Sequence, residues 1–277
     1  MVALTCYFDE SFDEQVHVVA GYVASDDYWD GVFTPAWRKV IDDSPHPIAE
    51  FSAGDCFHGQ KEFARGKGWT RTEREDLRDE LISHIIDPPG LVGIATAFCI
   101  PGKADPGDRR SPKYRRQVLT AGYGISLGTC FLNLLPIVTR HSEITKIRTV
   151  VDKRCKFSEA VAKNWEFALR TIPPDLASKI TTPATDDSKK CLPLQAADLL
   201  AFETFREVWG RCANRPVSAP LERLLAGAAH GAYCISYPSL EAYVNWLHDR
   251  SKSSAYSKVL YRSGFPALRA SGTWNVR

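Results

Sequence analysis

Two apolar, β-prone runs, Val2 to Phe8 and Val16 to Ala24, lie so close together that they constrain the fold of everything after them. The stretch between them closes with Phe12-Asp13-Glu14-Gln15. So short a link joins strands as an antiparallel hairpin, because a parallel pair needs a crossover of about a dozen residues or more. The first run ends in Asp9-Glu10-Ser11, which places two acids at a strand's end.

Downstream the pattern changes period. Asp26 can cap a helix whose apolar face carries Tyr28, Trp29, Val32, Phe33, Trp37, Val40 and Ile41, ended by Pro45 and Pro47. Residues 48 to 52 read as a short strand and 53 to 69 as an irregular, glycine-containing segment. Thr72 and Glu75 fit a capping box for a helix over about 72–86, stopped by Pro88-Pro89-Gly90. A strand follows over 91–100, then a Pro, Gly and charge-rich loop over 101–112, then a long helix over about 113–139. Ile147 to Val151 reads as a strand ending at Asp152, and Lys179 to Thr182 as another. Helices are expected from Ser158 to before Pro173, from Leu192 to Trp209 with Pro193 in the first turn, and from Ser239 to about 249. A hairpin followed by alternating strands and helices makes an α/β fold: a mixed sheet with helices packed on it.

The 277 residues suffice for one large domain, and no repeat or linker divides them. The content is 44% hydrophobic and 25% charged, an ordinary globular balance. A formal charge of +2 does not by itself call for a nucleic-acid partner. The eight cysteines contain no C-x-x-C pair, which argues against a zinc ribbon and for buried reduced thiols. The N-terminus lacks the basic-then-apolar pattern of a secretory leader. The most apolar run, Gly122 to Thr139, is interrupted by Gly124, Gly128, Asn133 and Pro136 and is too short for a membrane span. The expectation is a cytoplasmic chain with no membrane partner.

Three acids stand out for chemistry. Asp9 and Asp152 each end an apolar strand, where ligand sites of helix-covered sheets tend to lie. Asp198 sits in Leu194-Gln195-Ala196-Ala197-Asp198-Leu199-Leu200-Ala201-Phe202, a helix apolar nearly all round and therefore buried. A buried carboxylate costs several kcal/mol unless a cation or strong donor meets it. Gln195 lies one turn earlier on the same face. Three acids near one point repel each other, and a divalent ion with a taste for hard oxygen ligands, Mg²⁺ or Mn²⁺, resolves that repulsion.

The runs Tyr7-Phe8-Asp9-Glu10-Ser11, Val19-Ala20-Gly21-Tyr22-Val23 with Trp29, Glu50-Phe51-Ser52-Ala53-Gly54-Asp55, and Asp187-Ser188 followed by Leu194-Gln195-Ala196-Ala197-Asp198-Leu199-Leu200-Ala201 resemble, in order, the motifs of the domain-of-unknown-function-3800 family. They span residue 4 to about 206. The resemblance implies an RNase H-like fold, a metal-dependent nuclease or integrase-like activity, and acids in the places of Asp9, Asp152 and Asp198 as catalytic metal ligands. Glu10, Glu50, Asp55, His58, Asp187 and Gln195 are further candidates for the same site. Two positions depart from the family: Ser52 stands where a His is frequent, with His58 the nearby substitute, and Phe12 stands where Gly is usual. Alternation along a strand turns Glu10 away from Asp9.

The expected organisation is an RNase H-like domain with helical insertions over 1–249 and a basic tail over 250–277. Arg109, Arg110, Lys113, Arg115 and Arg116 in one basic stretch over 103–117, and the acid-free tail with its Lys, Arg, Tyr, Phe and Trp residues, are candidate phosphate- and base-contacting regions. The leading reading is a nuclease hydrolysing phosphodiester bonds of nucleic acid with Mg²⁺ or Mn²⁺. The alternative is a catalytically inactive nucleic-acid or protein binding module of the same fold, in which the acids are separated or paired with Lys and Arg. A haloacid-dehalogenase-type phosphatase would need an acid at Ser11. The chain has neither a G-x-x-x-x-G-K-[ST] phosphate loop nor a G-x-S-x-G nucleophile elbow.

Overall fold

The computed structural model describes residues 2–13, 16–87, 90–99, 143–153, 174–212, 218–227 and 229–236, together with most of 122–134 and Trp165. The opening runs form β1 (Val2–Phe12) and β2 (Val16–Ser25), paired antiparallel as expected, with Asp9 opposite Ala20. The pairing brings the two backbones too close for a side chain at position 21. A Cβ on Gly21 would stand 1.8 Å from the Tyr7 carbonyl oxygen.

A helical stretch follows as α1 (Asp26–Tyr28), a π-helical turn over Trp29–Phe33, and α2 (Thr34–Asp42). The sequence pattern predicts one regular helix here. Trp29, Phe33 and Trp37 run in one line of ring contacts at 4.9 and 5.2 Å, continued to Phe51 at 6.1 Å.

The expected strand over 48–52 does not form. Its backbone donors go to side chains instead: the N–H groups of Ala49 and Glu50 donate to Glu62 Oε2, and that of Phe51 to Gln195 Oε1. A short helix, α3 (Ala53–His58), occupies what reads as irregular. α4 (Arg71–Ile86) starts one residue earlier than expected. Two T-x-x-E patterns overlap there, and Thr70 with Glu73 makes the capping box rather than Thr72 with Glu75.

β3 (Val92–Cys99) pairs antiparallel with β2, and β4 (Ile144–Asp152) pairs parallel with β1. α5 (Pro174–Ala177) precedes Ile180, which makes a single bridge to Ile147. The strand expected over 179–182 lies instead at β5 (Ala184–Asp186), parallel to β4. α6 (Leu192–Cys212) has Pro193 in its first turn. Beyond it, α7 (Ala219–Gly227) and β6 (Ala229–Ser236) were not foreseen, and β6 extends the sheet parallel to β3. The sheet has six strands in the order β5-β4-β1-β2-β3-β6, mixed in direction.

Two apolar layers sandwich this sheet. Val16, Val18, Ala20, Tyr22 and Ala24 of β2 pack on one face with α2, α4, α6 and α7. Leu4, Cys6 and Phe8 of β1 pack on the other with Val19, Val23, Tyr123, Leu127, Phe131 and Trp165. Coverage of both faces explains why β2 is buried along nearly its whole length rather than at alternate residues. Among the described residues no helix is long and apolar enough to cross a membrane. Cys6, Cys56 and Cys130 are buried free thiols. Apart from the buried, helical Trp165, the helix expected over 158–172 lies outside the described residues, as do the helix expected over 239–249, the basic stretch and the 250–277 tail.

Candidate functional site

Strand register brings the first two acids together. Phe8 pairs with Val151 across the parallel β1–β4 ladder, so Asp9 and Asp152, one residue further on, are neighbours. Phe8 and Val151 both point into the layer with Phe131 and Trp165. Alternation therefore turns Asp9 and Asp152 to the opposite face, the one covered by α6. Asp198 is on α6. Its helix neighbours Leu194 to Ala197 and Leu199 to Ala201 are all buried, as the apolar pattern demands, while Asp198 itself is half-buried. Its Oδ2 accepts a hydrogen bond from Ala53 N–H at 2.7 Å, the strong donor that a carboxylate in such a helix requires.

These three acids line one cleft of about 410 Å³, with Glu10, Glu50, Phe51, Ser52, Asp55, Lys61, Glu62, Phe63, Ser188 and Lys189. Seven of its lining residues are acids and two are lysines. The imbalance acts on Asp9. Removal from solvent, and then the negative charges of Asp198, Glu10 and Asp152, push its carboxyl well above the usual range, against one Glu10 N–H donated at 2.8 Å. Among the described residues, no three His, Cys, Asp or Glu side chains already converge on one point as metal ligands. The donor set along the cleft is nonetheless all hard oxygen, it comes from separate elements, and its charge repulsion is felt at Asp9. That chemistry fits a divalent cation such as Mg²⁺ or Mn²⁺.

The further candidates divide. Glu50 accepts a hydrogen bond from Ser188 Oγ. Asp55 is held by Lys61 at 2.9 Å. Glu10 borders the cleft although its strand position alternates with that of Asp9. Asp187 is held by Lys153 at 2.6 Å and is not in the cleft wall. Gln195 is buried behind the wall: it accepts from Trp37 Nε1 at 2.9 Å and from Phe51 N–H, and donates to the Ser188 carbonyl at 2.8 Å. His58 is exposed and packs against Phe57 and Phe202 outside the cleft. Ser52 is in the wall. Arg109, Arg110, Lys113, Arg115 and Arg116 lie outside the described residues. Sequence reasoning missed Lys61, Glu62 and Lys189. They carry no motif, and only the turn after α3 and the loop before α6 bring them to the acids.

No family model, curated protein or solved structure matches this chain.

Proposed function

We propose that this protein is a metal-dependent nuclease of the domain-of-unknown-function-3800 family, with an RNase H-like fold, hydrolysing phosphodiester bonds of nucleic acid. The antiparallel run β1-β2-β3, continued in parallel from β1 by β4 and β5 with helices on both faces, supports the fold assignment. The placement of Asp9, Asp152 and Asp198, from two strands and a helix, along one acid-rich cleft carries the functional reading.

Asp9, Asp152 and Asp198 would hold one or two Mg²⁺ or Mn²⁺ ions. Such ions supply an activated water and charge stabilisation at the phosphate oxygens. The chain's own part is to fix the acids. The β1–β4 ladder sets the Asp9–Asp152 spacing, and Ala53 N–H orients Asp198. The sheet and α6 partly bury the acids, which strengthens charge interactions among them. The test is cleavage of labelled DNA and RNA oligonucleotides in Mn²⁺. The purified chain is expected to cleave at least one of them, and Asp9→Asn or Asp198→Asn to lower the rate about 10²-fold or more, the scale seen when a group stabilising the transition state is removed. Cleavage that survives both substitutions unchanged removes these acids from the chemistry.

A further inference from the structure

We propose that Lys61 is the phosphate-contacting cation of this cleft, held in position by a strained turn and resting on Asp55 until nucleic acid arrives. The proposal rests on the nuclease reading of the same cleft and assigns one of its substrate contacts.

Lys61 has φ 47°, and among the described residues it is the only non-glycine residue at positive φ. That left-handed conformation is unfavourable for a side chain with a Cβ, and glycine or asparagine ordinarily takes it. Gly59, two residues earlier, also has a left-handed φ of 64° and ends α3. The chain thus reverses sharply between Asp55 and Phe63.

The turn is fixed from both sides. Phe63 is buried against Phe51 and Trp69, at 6.0 and 5.2 Å between ring centres. Glu62 Oε2 accepts the N–H groups of Ala49 and Glu50. Gln60 N–H donates to the Asp55 carbonyl at 2.9 Å. Surroundings that over-determine a backbone are what allow strain to persist, and strained residues of this kind cluster at functional sites.

The result of the turn is an ammonium group at the mouth of an acidic cleft. The Lys61 side chain is 77% exposed, and its Nζ lies 2.9 Å from Asp55 Oδ2. The ammonium end of this pair is open to solvent although Asp55 is only 16% exposed, and solvent screening at that end weakens what the pair returns against the backbone cost. An exposed cation beside an acidic cleft does have a use with a polyanionic substrate. It supplies a positive contact for a phosphate next to the scissile one, where the unliganded carboxylates would repel it. Moving from Asp55 to that phosphate also frees a carboxylate at the edge of the site.

The test is binding of labelled single- and double-stranded DNA and RNA oligonucleotides by the full chain in Mn²⁺, over a series of salt concentrations, with Mn²⁺ calorimetry alongside. Lys61→Gly is expected to melt at the wild-type temperature or above it, because glycine accepts the left-handed turn. The same variant, and Lys61→Met, should bind oligonucleotide about tenfold more weakly, with a salt slope smaller by about one, and Lys61→Arg should restore both. Variants that bind with the wild-type affinity and slope overturn the proposal, as does a wild type that binds none of the oligonucleotides. The two readings fail separately. A wild type that takes up no Mn²⁺ removes the metal site. Normal Mn²⁺ uptake with undiminished binding by Lys61→Gly removes only the role of Lys61.

Discussion

Burial acts in opposite directions on two titratable side chains of the opening hairpin. At Asp9 it raises the carboxyl, reinforced by Asp198, Glu10 and Asp152, so ionised Asp9 is under electrostatic stress that a cation relieves. At His17 burial lowers the imidazole to about 3. His17 is fully buried on β2, stacked on Phe12 at 5.0 Å and edge-on to Tyr123. The unfolded chain protonates this histidine near its ordinary pKa and the folded chain does not. The stability due to neutral His17 is therefore complete above about pH 6.5 and is lost progressively as pH falls towards 3. The loss is on the order of 5 kcal/mol for this buried group. Urea unfolding across that range should show this decline, and His17→Phe should flatten it. An equal decline in the variant would assign the acid sensitivity to other groups.

Gln195 is where the elements around the site are joined. It ties α2 through Trp37, the segment before α3 through Phe51, and the loop before α6 through Ser188. Through Ser188 it also sets the partner of Glu50. Gln195→Leu keeps the volume but leaves an indole N–H, a peptide N–H and a carbonyl without this partner. It should cost about 3 kcal/mol or more in urea unfolding, since each buried group left unsatisfied costs about 1–3 kcal/mol. A cost below about 0.5 kcal/mol would mean that the three segments hold their places independently. The sequence points to this region only in part. The apolar surround of Gln195 and Asp198 marks a buried polar face of a helix, but the aromatic and loop partners of Gln195 lie up to 158 residues away. The hairpin, β4 and the α4 helix were readable because hydrophobic period and turn spacing are local. The segment over 48–52 was misread because its backbone donors are satisfied by Glu62 and Gln195, which no local pattern reports. α7 was missed although Leu221, Leu224 and Leu225 stand at helical spacing and Gly227 marks its end, and β6 because its eight residues, interrupted by His230 and Gly231, carry no continuous apolar run.

At the scale of the whole molecule, sheet topology does the work that no motif does. The parallel β1–β4 ladder crosses from residue 8 to residue 151 and sets Asp9 beside Asp152. Packing of α6 on that same face adds Asp198. Sequence alone could nominate these acids, and an ordered set of motifs could link them, but their proximity depends on register and on the face each side chain takes. The surrounding lysines came from turns whose geometry is invisible in composition. If the cleft is a metal site, its ions stabilise the folded chain, since ligand binding to the native state adds about 2.7 kcal/mol at a hundredfold excess over Kd. The most direct test is titration calorimetry of Mn²⁺ into the wild type and into Asp198→Asn. The amide oxygen of the asparagine can still accept the Ala53 N–H, so the variant should keep its fold. Saturable uptake of one or two ions by the wild type, reduced at least tenfold in affinity by Asp198→Asn, is the expected result. No uptake by the wild type, or equal uptake by both, contradicts the metal centre at Asp9, Asp152 and Asp198.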